Sequence, residues 1–339
     1  VNLPETNFSL QTLNTFGIQA HTKYFFEAGN LDQLKTALGF AENGNLPVLI
    51  LGGGSNLLFT QDWNGLTIHI SNSGISIVGE SETDVVVEVA AGEKWHPFVL
   101  ETLRRGWYGL ENLSLIPGSV GAAPMQNIGA YGAEVRQTIT EVQIWNRQTG
   151  QLEWLSKEAC RFGYRESIFK QELKDKAVVW SVRFRLSKKP LVKTGYGDIQ
   201  KVLADKKIEN PGPLDVSQAV MEIRQSKLPD PALLGNAGSF FKNPVIPESQ
   251  SDELAERFPD IPLYPAEPGH KKVAAGWLIE KAGWKGHSRQ THGVHERQAL
   301  VLVNYGGASG KEIYQLAKDI QDDIQLQFGI ALQMEVNRV

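Results

Sequence analysis

A few polar side chains stand where they could do chemistry. Arg165 sits in Phe162-Gly163-Tyr164-Arg165-Glu166-Ser167, and a guanidinium is the natural partner of a carboxylate or phosphate. Taken alone, however, an Arg beside a Glu more often serves a surface ion pair. Ser239 lies in Ala-Gly-Ser-Phe-Phe. A hydrolase nucleophile elbow needs glycine two residues before and two after the serine, and Ala237 and Phe241 occupy those places. That leaves a positioned hydroxyl proton donor or a turn serine bonded to its own backbone. Glu335, between Met334 and Val336, reads as a half-buried acid or an exposed strand position. Lys227, Lys242, Lys271 and Lys272 could meet a diphosphate or stay solvated. His287, His292 and His295 lie close together, but in a Gly-, Ser- and Arg-rich loop at irregular spacing. They read as polar loop residues, and no metal is expected.

Two glycine-rich stretches could hold a ligand without side-chain charge. Ile116–Gly132 reads IPGSVGAAPMQNIGAYG, with no charged residue and glycine at 118, 121, 129 and 132. Successive turns of this kind aim backbone N–H groups at one place, a pocket for a phosphate or an electron-rich ring. The second stretch, Gly52-Gly53-Gly54-Ser55-Asn56, follows the apolar run 48–51. A dinucleotide fingerprint would need its third glycine at Leu57 or Leu58 and a helix before Asp62-Trp63-Asn64-Gly65. Neither is present, so a Rossmann reading fails.

Local signals supply the elements that must position these residues. Asn30 caps a predicted helix with Leu31, Leu34, Leu38 and Ala41 on one face, ending at Gly44. Short strands are predicted at 66–70, 75–78 and 85–90, a helix at 95–105, and a hairpin from 139–145 and 151–155. Val178, Trp180, Val182, Phe184 and Leu186 alternate as in a half-buried strand, with Arg183 and Arg185 opposite. Asp215 is expected to cap a helix carrying Val216, Val220 and Ile223, which cannot continue past Pro229. Gly235–Asn243 reads as a second glycine-rich turn. Ser309 and Glu312 spell a capping box before Ile313, Leu316, Ile320 and Ile324, and 332–336 reads as a strand.

The 339 residues suit two or three domains. With 41% hydrophobic and 21% charged residues, the chain is an ordinary globular one. A net charge of −4 provides no global field for nucleic acid or an anionic membrane. The single cysteine, Cys160, rules out an internal disulfide. The sequence shows neither a signal-peptide pattern nor an uncharged apolar run of membrane-spanning length, so a cytoplasmic protein is expected.

Taken together, these pieces resemble the UDP-N-acetylenolpyruvoylglucosamine reductase family over the whole chain. The likeness rests on LILGGGSNLL at 49–58, SLIPGSVGAAPMQNIGAYG at 114–132, CRFGYRESIFK at 160–170 and KLPDP at 227–231. It continues with GNAGSFFKNP at 235–244, AAGWLIEKAGWKG at 274–286 and MEV at 334–336. Lys193-Thr194-Gly195-Tyr196-Gly197-Asp198 resembles the tyrosine-bearing loop of the family's first type, which folds over substrate. Asn337 stands where the family commonly has arginine, so no flavin contact is carried over there.

The resemblance implies an α+β fold. It has a two-part FAD-binding domain of the vanillyl-alcohol-oxidase (PCMH) class and a smaller α/β substrate domain. The implied partition is 1–65 for the first FAD subdomain, with 325–339 returning to the active site, then 66–190 for the second. The tyrosine loop and linker take 191–214, and the substrate domain 215–324. It implies noncovalent FAD held by Gly52, Gly53, Gly54, Ser55 and Asn56 and by Ile116, Pro117, Gly118, Ser119, Gly121 and Ala122. Gln126, Asn127, Gly129, Ala130, Tyr131 and Gly132 complete the cofactor set.

In the implied reaction, in peptidoglycan precursor synthesis, NADPH is the hydride donor and UDP-N-acetylglucosamine enolpyruvate the substrate. Arg165 and Glu335 answer charge that develops on the substrate carboxylate, Glu335 as a donor only if protonated. Ser239 protonates the substrate carbon. Tyr196, Lys227, Asn243, Tyr264, Lys272 and Gln298 are the implied substrate contacts, Lys227 and Lys272 at the diphosphate. A monomer is expected. Two rivals stand beside this reading: another flavin oxidase of the same fold class, and a non-enzymatic UDP-sugar binder. The GNAGSFFKN motif argues against the first, and Arg165, Ser239 and Glu335 together argue against the second.

Overall fold

The structure, a computed structural model, describes residues 3–339. The chain forms two compact units. The first comprises Thr22–Gly53 and Trp63–Ser226 with the N-terminal strand up to Phe8; the second comprises Ser9–His21, Gly54–Asp62 and Lys227–Val339. The division runs through the GGGSN turn, between Gly53 and Gly54.

In the first unit, the strand Trp63–Ile70 lies between His21–Ala28 and Val48–Leu51 and runs parallel to both. Glu5–Ser9 forms the other edge of this sheet. The Asn30 side chain accepts the Gln33 N–H at 3.0 Å and starts the helix Leu31–Asn43, which ends at Gly44. Its buried face is Leu34, Ala37 and Ala41.

A five-stranded antiparallel sheet follows, in the order Gln151–Ser156, Ile139–Asn146, Ala177–Ser187, Asp84–Ala90 and Ile75–Glu80. The expected hairpin is its first pair. The helix Trp95–Arg104 packs Trp95 and Phe98 against Phe184 of the central strand, with ring centroids 6.0 and 5.2 Å away. That strand is buried further than alternation predicts, because Val179 and Ser181 on its second face are also covered. Arg183 on the same face pairs with Glu88 and Glu141, and its guanidinium stacks 3.8 Å above the Trp154 ring.

Two helices, Gly197–Asp205 and Pro213–Lys227, enclose a small separate core of Ile199, Leu203, Val216, Ala219, Val220 and Ile223. Asp215 is not the cap of the second helix. The helix begins at Pro213, a position suited to a residue without an N–H, and Asp215 reaches back to accept the Gly212 N–H at 2.8 Å.

In the second unit, Gly235–Ser239, Val301–Asn304 and His292–Val294 form an antiparallel sheet in that order. The stretch expected to be a glycine turn is therefore a strand up to Ser239, with an irregularity between Asn236 and Ser239 and Gly238 at φ +70. A second antiparallel sheet contains Val245–Pro247, His270–Val273 and Leu263–Pro265. The Ser309–Glu312 capping box opens the helix Gly310–Phe328, which buries Ile313, Leu316, Ile320 and Ile324 as its spacing predicts. The expected strand over 332–336 shrinks to a bridge between Met334 and Phe241, and regular pairing begins only at Asn337–Arg338, parallel to Leu57–Leu58.

Among the described residues, no helix is long and apolar enough to cross a membrane. Cys160 is buried, and burial pushes its thiol up to about 12, so it serves as a small apolar member of the core.

Candidate active site

The two glycine-rich stretches meet inside the first unit. A Cβ added to Gly52 would stand 2.5 Å from Ser119 Oγ, and one on Gly53 2.8 Å from Gly118 Cα. Two backbones this close leave no room for side chains, so glycine is required by contact at Gly53. The loop is also bonded from behind. Trp95 N–H donates to Gly118 O (3.0 Å), Val120 N–H to Glu93 O (2.8 Å) and Gly121 N–H to Ala91 O (2.8 Å). These bonds tie an uncharged loop to the first turn of the helix Trp95–Arg104 and to the end of the strand Asp84–Ala90.

Asn127, fully buried at φ +45, organises the second half of the loop. Its Nδ2 donates to Gly163 O at 2.9 Å and its Oδ1 accepts the Arg136 N–H at 3.1 Å. This brings the Arg165 turn against the loop. Arg165 has φ +55, and its Nη2 donates to Gly129 O at 2.7 Å. Ser167 Oγ donates to Met125 O at 2.6 Å. Tyr131 packs against the small helical core and meets the Tyr196 ring edge-on, centroids 5.4 Å apart. Ile116, Ala122, Ala130 and Gly132 belong to the same loop, with Gly132 at φ +78. Burial, with Asp198 nearby, holds the Tyr131 phenol neutral and above its usual range.

In the second unit, Gly54 is at φ +60 with the Leu13 carbonyl against the place a Cβ would take. Asn56 then links the turn to the chain end. Its Nδ2 donates to Glu335 O (3.2 Å), and its own carbonyl accepts both Asn337 N–H (3.0 Å) and Asn337 Nδ2 (3.2 Å). Glu335 N–H in turn donates to Phe240 O at 2.8 Å. Ser239, Glu335 and Asn56 thus lie on consecutive, mutually bonded pieces of backbone. Ser239 is exposed and Glu335 half-buried, while Phe240 and Phe241 are fully buried beside them. The contact of Asn337 with the GGGSN turn carries no sequence signal, since its carboxamide acts on a backbone carbonyl.

The remaining candidates separate by role. Tyr264 and Lys272 face each other across one pair of strands, and Tyr264 is exposed. Asn243 Oδ1 accepts the Ala275 N–H at 2.9 Å at the start of the helix Ala275–Lys281, so its carboxamide supports that helix. Gln298 Oε1 accepts the Leu300 N–H at 3.3 Å. Lys227 ends its helix. His292 and His295 are buried, and burial pulls both below the usual range, which makes them neutral framework residues of the sheet.

Over 327 residues the chain is 51% identical to the UDP-N-acetylenolpyruvoylglucosamine reductase of Chromobacterium violaceum, covering 96% of each chain. The chain belongs to the UDP-N-acetylenolpyruvoylglucosamine reductase family. Reductases of this family from Pseudomonas aeruginosa and Flavobacterium johnsoniae are 47% and 48% identical, over 97% and 98% of both chains. Residues 230–339 match the profile of the reductase's C-terminal domain, and residues 22–156 that of an FAD-binding domain. The fold is shared with the solved reductase structure from Thermus caldophilus: TM-score 0.69, 23% identity, 99% of this chain and 98% of that one. The expected α+β, FAD-binding fold class therefore holds.

Proposed function

We propose that this chain reduces UDP-N-acetylglucosamine enolpyruvate to UDP-N-acetylmuramate, a step of peptidoglycan precursor synthesis, with NADPH as hydride donor and noncovalent FAD. The observation that carries this reading is the near full-length 51% identity to a reductase of that name. The residues fit the cofactor. The Gly52–Gly53 turn and the 116–132 loop form one bare, uncharged backbone surface, suited to an electron-rich ring and a diphosphate met by peptide dipoles. When bound, FAD supplies hydride transfer, from NADPH and then to the enolpyruvyl methylene carbon.

The chain's own residues do the rest. The carboxylate next to the reacting double bond gains charge in the transition state. Arg165 offers it a planar two-pronged donor whose orientation is set by the Gly129 carbonyl. Glu335 is the second group assigned to that charge, and it acts as a donor when protonated. Ser239 gives its proton to the carbon beside the carboxylate. Tyr196, Lys227, Asn243, Tyr264, Lys272 and Gln298 are proposed to hold the nucleotide sugar, Lys227 and Lys272 at the diphosphate and Tyr196 from the loop that folds over it.

The division of labour is proposed to follow 1–65 and 66–190 for FAD, with 325–339 returning to the active site, 191–214 as loop and linker, and 215–324 for substrate. The compact units cut the chain elsewhere, because the helix Pro213–Lys227 packs with the first unit. A cytoplasmic monomer acting without nucleic acid or membrane completes the reading.

Purified protein is expected to be yellow, to release its FAD on denaturation, and to bleach with NADPH and recover colour with the enolpyruvyl substrate. Flavin absorbance follows every step. Protein that stays colourless after reconstitution with FAD overturns the proposal.

A glycine test separates cofactor binding from folding. Gly53→Ala places a methyl against the Gly118 backbone and should lower FAD retention about tenfold or more, the scale of an overpacking strain of 1–3 kcal/mol. Gly39→Ala, in the helix Leu31–Asn43 with open space around it, should raise stability by about 1 kcal/mol and leave FAD content unchanged. Equal FAD titrations for wild type and Gly53→Ala would remove the turn from the cofactor site.

A further inference from the structure

We infer that Arg224 and His96 are positioning residues that clamp the cofactor-binding loop at Leu115. Leu115 immediately precedes the 116–132 loop and is at φ +59, a left-handed conformation that a leucine seldom adopts. Both of its peptide groups are held. Its N–H donates to His96 Nδ1 at 2.9 Å, and its carbonyl accepts from Arg224 Nε at 3.1 Å. The charge of Arg224 also lies near the Tyr131 phenol. Tyr131 itself is at φ +49, and its carbonyl accepts from Asn112 Nδ2 at 2.9 Å.

The entrance of the loop is therefore fastened to two helices. His96 projects from the first turn of Trp95–Arg104, where Trp95 Nε1 also donates to Leu113 O at 2.9 Å. Arg224 comes from Pro213–Lys227, whose Ser217 hydroxyl bonds to the Ser114 hydroxyl at 2.7 Å. The chemistry of each group suits its place. His96 can accept at Nδ1 only when that nitrogen carries no proton, and burial together with the Arg224 charge keeps the ring neutral. Arg224 keeps its charge although burial pulls it down, and its Nε donor is aimed by a rigid planar group, which a flexible ammonium does not reproduce. A backbone conformation unfavourable for leucine persists because its surroundings over-determine it. Without the clamp, the entrance of the loop is free to leave the arrangement in which Gly118 abuts Gly53.

The inference rests on the proposed FAD role of the loop, so its test reads the loop and the cofactor separately. Arg224→Lys should raise the FAD dissociation constant of the apoprotein about tenfold, the weight of one left-handed residue. It should also speed amide hydrogen exchange in the peptide spanning 113–132. His96→Leu should do the same. His96→Asn, which sets an acceptor oxygen close to the Nδ1 position, should restore most of the loss; a mere space-filling role predicts the opposite order. In a Leu115→Gly background the left-handed conformation is free, so Arg224→Lys should change FAD affinity by less than about threefold.

Exchange and FAD affinity both unchanged in Arg224→Lys overturn the clamp. So does a His96→Asn variant as weak as His96→Leu, or an undiminished Arg224→Lys effect beside Leu115→Gly. If wild-type protein takes up no FAD, the proposed function fails, and the exchange data alone then decide the clamp.

Discussion

Ser239→Ala leaves the bleaching of bound FAD by NADPH near its wild-type rate and slows recovery of colour with UDP-N-acetylglucosamine enolpyruvate about 10²–10⁴-fold, the contribution of a positioned general acid. The two half-reactions make different demands. The first needs a hydride donor set against the flavin and gives no proton to a substrate carbon. The second needs both hydride and proton. The local structure keeps the test clean, because Ser239 is an exposed strand end and the adjoining packing belongs to Phe240 and Phe241, both 1% exposed. Removing one exposed hydroxyl neither opens a cavity nor strands a buried group. Stopped-flow absorbance follows both steps in one sample. Equal slowing of both assigns Ser239 to general positioning. Unchanged rates in both assign the proton to another donor.

What the sequence made legible was local. The Asn30 cap, the Ser309–Glu312 box and the 139–156 hairpin each rest on residues within a few positions of one another, and the structure contains all three. Readings failed where a distant partner decided the outcome. Gly235–Ser239 has the composition of a turn but becomes a strand because Val301–Asn304 supplies a ladder. The stretch 332–336 alternates like a strand, yet its single bridge goes to Phe241 and regular pairing waits for Leu57–Leu58. Asp215 has the right side chain for a cap, but Pro213 two residues earlier suits the helix start better and moves the boundary.

The site divides in the same way. A glycine run can be seen in one dimension, and so can an unusual motif around Arg165. That Gly53 abuts Gly118, that Asn337 grips the Asn56 carbonyl, and that Arg224 holds the Leu115 carbonyl are contacts over 65, 281 and 109 positions, visible only once the chain has folded.

Arg165→Lys keeps the charge and is expected to lower kcat about 10²–10³-fold, the cost of losing a preorganised donor to developing negative charge. Arg165 is presented by a tight turn closed between Gly163 and Glu166, at φ +55, with its own carbonyl accepting Lys170 Nζ at 3.3 Å. Its guanidinium lies 5.6 Å from the Tyr164 ring centroid while Nη2 holds the Gly129 carbonyl at 2.7 Å. One edge of a rigid planar group is thus fixed to the 116–132 loop, which sets the direction of the rest of the guanidinium. A lysine ammonium is a point charge on a flexible stem and can keep the loop contact or turn to a carboxylate, but cannot offer two parallel bonds. FAD content separates the two jobs of this side chain. Loss of turnover at full FAD occupancy assigns Arg165 to the substrate carboxylate. Loss that tracks falling FAD content assigns it to the Gly129 segment of the loop instead. Unchanged turnover of the enolpyruvyl substrate removes Arg165 from the reaction altogether.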